Sequence, residues 1–164
     1  MNTKNIGIYV HIPFCKQKCR YCDFKSYVGK ENHVDNYIKW VKYELKQVGE
    51  GNKTDYENGL DDLAVVSTVY IGGGTPSFID SEHIVEIVNT IKENYTLAKD
   101  YEMTIEVNPG TVNKEKLTDY INSGINRISI GLQSTDNNLL KQIGRIHTYT
   151  DFEDSLKLAR EVRI

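Results

Sequence analysis

The sequence predicts an α/β fold, an open parallel barrel of about four strand–helix units. Two observations carry that reading. Strand-like and helix-like segments alternate along the chain, and repeated strand–helix units place parallel strands side by side with helices packed outside them. An unusual polar or glycine-rich segment also follows each strand-like segment, at the edge where such folds build their sites. The 164 residues, 39% of them hydrophobic, suffice for a buried core and exclude a disordered chain. A closed barrel needs eight units and roughly 250 residues. Residues 1–164 are therefore expected to be the first part of a longer domain, and the last helical stretch shows no glycine or proline stop before Ile164.

The elements follow in order. "IGIYVHI" (6–12) is β-branched and aromatic, as a strand requires. From His33 to Val48 the apolar residues Val34, Tyr37, Ile38, Val41, Leu45 and Val48 recur at helical spacing. Residues 49–62 are polar and glycine-bearing and read as a surface loop. "AVVSTVYI" (64–71) is a second strand, ended by Gly72-Gly73-Gly74, and Ile84, Ile87, Val88 and Ile91 stripe a second helix. "YEMTIEV" (101–107) is a third strand, stopped by Asn108-Pro109-Gly110. A short helix with Leu117, Tyr120 and Ile121 then ends at Gly124, a natural left-handed cap. "NRISIGL" (126–132) is a fourth strand. "TDFEDSLKLAREV" reads as a last helix with a capping box from Thr150 to Glu153.

The chemistry concentrates in "CKQKCRYCDF", which holds all three cysteines as C-x3-C-x2-C. They are too few and too tightly clustered for a disulfide framework, and point to metal or redox chemistry in a reducing compartment. A structural zinc site would need a fourth ligand, such as His11 or His147. An iron–sulfur cubane held by three cysteines would leave one iron open to a small molecule. Lys16, Lys18 and Arg20 lie between the thiols and offset their charge, or form a plain solvated loop. The triple glycine invites close backbone approach but lacks the spacing and the Lys-Ser/Thr of a phosphate loop. Glu106, at a strand end among apolar residues, reads as a partnered carboxylate, in a structural ion pair or against a ligand, because burying a lone carboxylate is costly. The net charge of −3 argues against a nucleic-acid-binding face over the whole domain. Without a bilayer-spanning apolar run or a signal-peptide pattern, the sequence reads as cytoplasmic.

Cys15, Cys19, Tyr21 and Cys22 resemble the signature of the radical S-adenosylmethionine (SAM) superfamily. "YVHIPFCKQKCRYCDF", "YIGGGTPS", "IEVNPGT", "RISIGLQS" and "IGRIH" are similar, in that order, to its branch of oxygen-independent coproporphyrinogen III oxidases and haem chaperones. The resemblance covers nearly the whole chain. It implies a partial (βα) barrel of the radical SAM type, with residues 1–164 as the N-terminal part of the core domain. The remaining barrel units and a C-terminal domain would lie beyond.

The resemblance also implies roles. Cys15, Cys19 and Cys22 would hold a [4Fe–4S] cluster, with SAM on the fourth iron and a 5′-deoxyadenosyl radical as its reactive product. Tyr9, Tyr21, Gly73, Gly74, Thr75, Glu106, Gln133 and Arg145 would contact SAM, Arg145 being suited to a carboxylate. His11 reads as a satisfied structural histidine, while His147 carries no assigned role; nor does any residue carry an assigned catalytic one. The oxidases of this branch have a further cysteine two positions beyond the third, where this chain has Phe24. That favours the haem-chaperone group, which binds haem and passes it to acceptor proteins, over decarboxylation of coproporphyrinogen III. A reductant such as flavodoxin or ferredoxin is implied in either case. A reading of another class is an inactive fragment or a zinc-binding module.

Overall fold

The computed structural model describes residues 4–50 and 64–164. Four strands form one sheet: β1 (Lys4–Ile12), β2 (Ala64–Gly73), β3 (Leu97–Val107) and β4 (Arg127–Ile130). They lie in the order β1-β2-β3-β4, and every neighbouring pair is parallel. Sequential order with parallel pairing is how a (βα) barrel grows, one unit beside the last, whereas a doubly wound sheet reverses direction part-way.

The helices are α1 (Val34–Gly49), α2 (Ser81–Asn94), α3 (Lys114–Ser123), α4 (Asn137–Gln142) and α5 (Tyr149–Val162). The expected apolar stripe of α2 is buried throughout (Ile84, Ile87, Val88 and Ile91). α1 buries Val34, Ile38 and Leu45 with Tyr37, Val41 and Val48 half-buried, and α3 buries Leu117 and Tyr120 with Ile121 half-buried. They meet one face of the sheet, where Val10, Ile12, Val69, Ile71, Met103, Ile105 and Val107 are buried. Because strand side chains alternate, the other face receives Tyr9, His11, Tyr70, Thr104, Glu106 and Ser129. One face makes the core; the opposite face carries the polar chemistry.

Several boundaries differ from the sequence reading. β3 starts at Leu97, because its exposed Lys99 and Asp100 hide the strand in a polar stretch. β2 runs through Gly72 to Gly73, and β4 stops at Ile130. α4, six residues long, is too short to show an apolar stripe; its signal is Asp136, whose carboxylate caps the Asn138 and Leu139 amides. The capping box of α5 is Thr148 with Asp151, two residues earlier than expected. Both windows match the pattern, but Thr148 has extended backbone (φ −103°, ψ 170°), and Thr150 already lies inside the helix. α5 ends at Val162 with Arg163 left-handed (φ +65°), so it stops without the glycine or proline expected of such an end. Gly124 caps α3 in the left-handed region as the sequence predicts (φ +107°). From residue 51 the expected 49–62 loop lies outside the described residues. Among those described, no helix is long and apolar enough to cross a membrane.

Candidate cofactor site

The cysteine loop leaves β1 at Pro13 and closes on itself at Tyr27. The Cys15 amide donates to the Tyr27 carbonyl (3.0 Å) and the Tyr27 amide to that of Pro13 (2.7 Å). Lys18 lies inside this loop, its ammonium donating to the Phe24 carbonyl and to Ser26 Oγ (2.9 Å). Its charge thus braces the loop as well as lying near the thiols. The loop's outer arm docks on the turn after α4. Gln17 Nε2 donates to the Gly144 carbonyl (2.8 Å), and the Arg20 amide to that of Ile143 (3.0 Å).

The triple glycine receives the loop from the other side. A Cβ on Gly74 would lie 2.9 Å from Cys15 Sγ and 2.9 Å from the Phe14 carbonyl, closer than real Cβ atoms approach. Gly74 therefore admits the cysteine loop itself. Thr75, buried beside them, donates toward Cys15 Sγ (3.5 Å) and accepts from Asn108 Nδ2 (3.0 Å).

Glu106 is partnered, as its position demanded, though not by a cation. Oε2 accepts the Gly73 amide (3.0 Å) and Oε1 the Tyr70 hydroxyl (2.9 Å). Burial, and after it the neighbouring Glu106 carboxylate, raise the Tyr70 pKa, so its hydroxyl stays a donor. Gln133 has φ +67°, rare for a residue with a side chain. The Ser134 amide donates to the Leu132 carbonyl across it (2.9 Å), a tight γ-turn of the strained kind.

Arg145 ties three segments together. Nη2 donates to Asn108 Oδ1 (2.8 Å) and the Gly131 carbonyl (2.9 Å), Nη1 points to Cys19 Sγ (3.6 Å), and Nε donates to His147 Nδ1 (3.2 Å). His147 is buried, and its Nε2 donates to the Leu132 carbonyl (3.1 Å). Burial first, then the guanidinium, lower its pKa, which fits a neutral ring accepting at Nδ1.

All three cysteines line one cavity of about 310 Å³, and with them Tyr21, Gly73, Gly74, Thr75, Glu106, Gln133 and Arg145. Tyr9 is the expected site residue that does not. It lies on the neighbouring strand, its ring stacked on Tyr70 (6.2 Å between centroids) and its hydroxyl against His11 Nδ1 (3.1 Å). His11 is a satisfied structural histidine as expected, since its Nε2 bonds the Lys25 carbonyl (2.8 Å). Sequence reasoning missed Asn108, which links Thr75 to Arg145; in "NPG" it reads as turn punctuation.

The donor set fits a cubane better than zinc. Among the described residues, no three His, Cys, Asp or Glu side chains converge on one point as a single ion requires. Both histidines that could complete a zinc site have their ring nitrogens engaged. Three thiols around a common cavity suit a cluster, in which each thiolate takes a different iron.

A family model of the radical SAM superfamily matches residues 9–164. The heme chaperone HemW of Escherichia coli (strain K12) is 39% identical over 155 residues, covering 94% of this chain and 39% of its own length. HemW of Bacillus subtilis (strain 168) is 35% identical over 155 residues, covering 94% of this chain and 38% of its own. The chain thus spans about two fifths of the length of these curated relatives. A solved structure of the coproporphyrinogen III oxidase HemN from Escherichia coli, a radical SAM enzyme, superposes with a TM-score of 0.82. It is 27% identical, over 95% of this chain and 34% of that one.

Proposed function

Since the chain belongs to the radical SAM superfamily, we propose that it binds a [4Fe–4S] cluster through Cys15, Cys19 and Cys22, and SAM beside it. We propose further that the whole protein is a haem chaperone, binding haem and delivering it to acceptor proteins. The observation that carries the cofactor reading is the gathering of three free thiols at one cavity, around a glycine turn that leaves room for them. When bound, the cluster and SAM supply one-electron chemistry at the sulfonium.

The chain's own residues prepare the cavity for that pair. Gly74 and Thr75 fix Cys15, while Arg145 fixes the second arm of the loop at Cys19. Arg145, which also hydrogen-bonds Tyr21, brings a fixed positive charge to the cavity wall, suited to a ligand carboxylate. Glu106 holds the glycine turn through the Gly73 amide, and Tyr21 supplies an aromatic face beside the last cysteine. Anaerobic reconstitution with iron and sulfide tests the reading. Brown protein with about four irons per chain is expected, lost on Cys15→Ala, Cys19→Ala or Cys22→Ala. Colourless protein holding one zinc overturns it.

The chaperone reading is supported by the 39% identity to HemW, against 27% to HemN. It is supported also by Phe24, which is exposed at the cavity rim and cannot ligate iron. Decarboxylation of coproporphyrinogen III is the second reading, favoured by the fold match to HemN. Incubation with SAM, a reductant such as flavodoxin or ferredoxin, and coproporphyrinogen III separates the two. Haem retention without protoporphyrinogen formation supports the chaperone; protoporphyrinogen formation supports the oxidase.

A further inference from the structure

A second cavity, of about 370 Å³, opens on the side of the cysteine loop that faces α1. Phe14 and Tyr27 of the loop and Tyr37 and Trp40 of α1 wall it, and Lys30 and His33 lie at its edge. We propose that this groove binds an iron porphyrin, with His33 ligating the iron and Lys30 facing a propionate. The inference rests on the haem-binding reading above and assigns it a place on this chain.

The groove matches the chemistry of such a ligand, a flat apolar ring with a metal at its centre and carboxylates at one edge. Its walls are aromatic, Phe14 and Tyr37 meeting edge to face (5.5 Å between centroids). Trp40 is 59% exposed and Tyr27 46%, so two large rings stand in solvent where a monomeric surface would ordinarily cover them. Lys30 has no ion pair among the described residues, and the nearby carboxylate of Asp35 faces His83 (3.3 Å).

Elimination singles out the ligand. The chain has four histidines. His11 and His147 have both ring nitrogens bonded, and His83 pairs with Asp35. Among the described residues His33 alone has a ring without a hydrogen bond or ion pair, and it is exposed at this groove. Met103 is buried in the core, and the cysteines line the other cavity.

Haemin titrated anaerobically into cluster-loaded protein tests this, read by difference absorption and electron paramagnetic resonance. One haem per chain with a nitrogen-ligated ferric signature is expected. His33→Ala should abolish that signature and weaken binding at least about tenfold, whereas His83→Ala should change neither. Lys30→Glu should weaken binding about two- to fivefold, less at high salt. Trp40→Ala should weaken metal-free protoporphyrin IX as well, which needs no axial ligand. Unchanged cluster content and circular dichroism report intact folding in each variant. If the unaltered protein binds haemin while His33→Ala and Trp40→Ala titrate identically to it, the groove assignment is overturned and the haem reading stands. A ferric signature that instead depends on the cysteines also overturns the groove. If the protein takes up no haemin, both fall.

Discussion

At the residue scale, the site was legible where chemistry is local and hidden where it depends on register. Three cysteines within eight positions announce themselves. That Glu106 must be partnered also followed from the cost of burying a charge. Its partners did not follow, because Tyr70 and Gly73 reach it only when β2 and β3 pair as they do. His147 was likewise mute in sequence, since Arg145 and Leu132 give its nitrogens their roles. Its depressed pKa has a consequence for stability. A ring kept neutral in the fold takes up a proton more readily when unfolded, so its contribution is complete above about 6.5 and falls as pH drops below that value. Asp151, whose pKa the Thr148 hydrogen bonds lower, gives way in a separate window, beneath the ordinary carboxylate range. Urea midpoints measured from neutral to mildly acidic pH should therefore slope less for His147→Gln than for the unaltered protein. Equal slopes would show that His147 does not titrate across unfolding. Tyr120 makes a second case. Its hydroxyl is buried with no hydrogen-bond partner among the described residues. Burial, with Asp119 and Asp80 adding to it, drives its pKa far up. Tyr120→Phe removes that polar atom from the core and should leave stability equal or higher, by up to about 1–3 kcal/mol; a clear loss in denaturant midpoint contradicts this.

At the element scale, periodicity located the long helices and missed what periodicity cannot see. α2 buries the whole stripe its sequence displays, and α1 buries the centre of its stripe at Val34, Ile38 and Leu45. α4 is too short to show a stripe, and β3 begins in a polar stretch. The start of α5 is instructive, because Thr148-x-x-Asp151 and Thr150-x-x-Glu153 are both plausible boxes on paper. In the fold, Asp151 accepts the Thr148 amide (2.7 Å), while Thr148 Oγ1 accepts the Asp151 amide (3.3 Å). Thr148→Ala should therefore cost about 1 kcal/mol in chemical denaturation. Thr150→Ala, on the exposed first turn, should stay within about 0.5 kcal/mol. The reverse order would restore the boundary suggested by the sequence.

At the scale of the whole molecule, the parallel order gathers four separate loops at one sheet edge, and the sequence disclosed that convergence before any contact was known. It did not disclose what the glycine turn accommodates. Gly74 sits where a methyl group would meet Cys15 Sγ and two backbone carbonyls, those of Ile12 and Phe14, which no side-chain rotation can move aside. Overpacking of this kind costs about 1–3 kcal/mol, and it would fall on the first cysteine's position rather than on the core. Gly74→Ala should thus keep the far-ultraviolet circular dichroism while taking up much less iron on anaerobic reconstitution. Gly29, two positions past the end of the cysteine loop at Tyr27, separates that effect from general loop damage. It has φ +69° but nothing within 4 Å of its would-be Cβ. Gly29→Ala should pay only the left-handed strain, about 1–2 kcal/mol, and load iron normally. If both variants load alike, the glycine turn does not set the cysteine's place, and the thiols are positioned by the loop's other anchors at Tyr27 and Gly144.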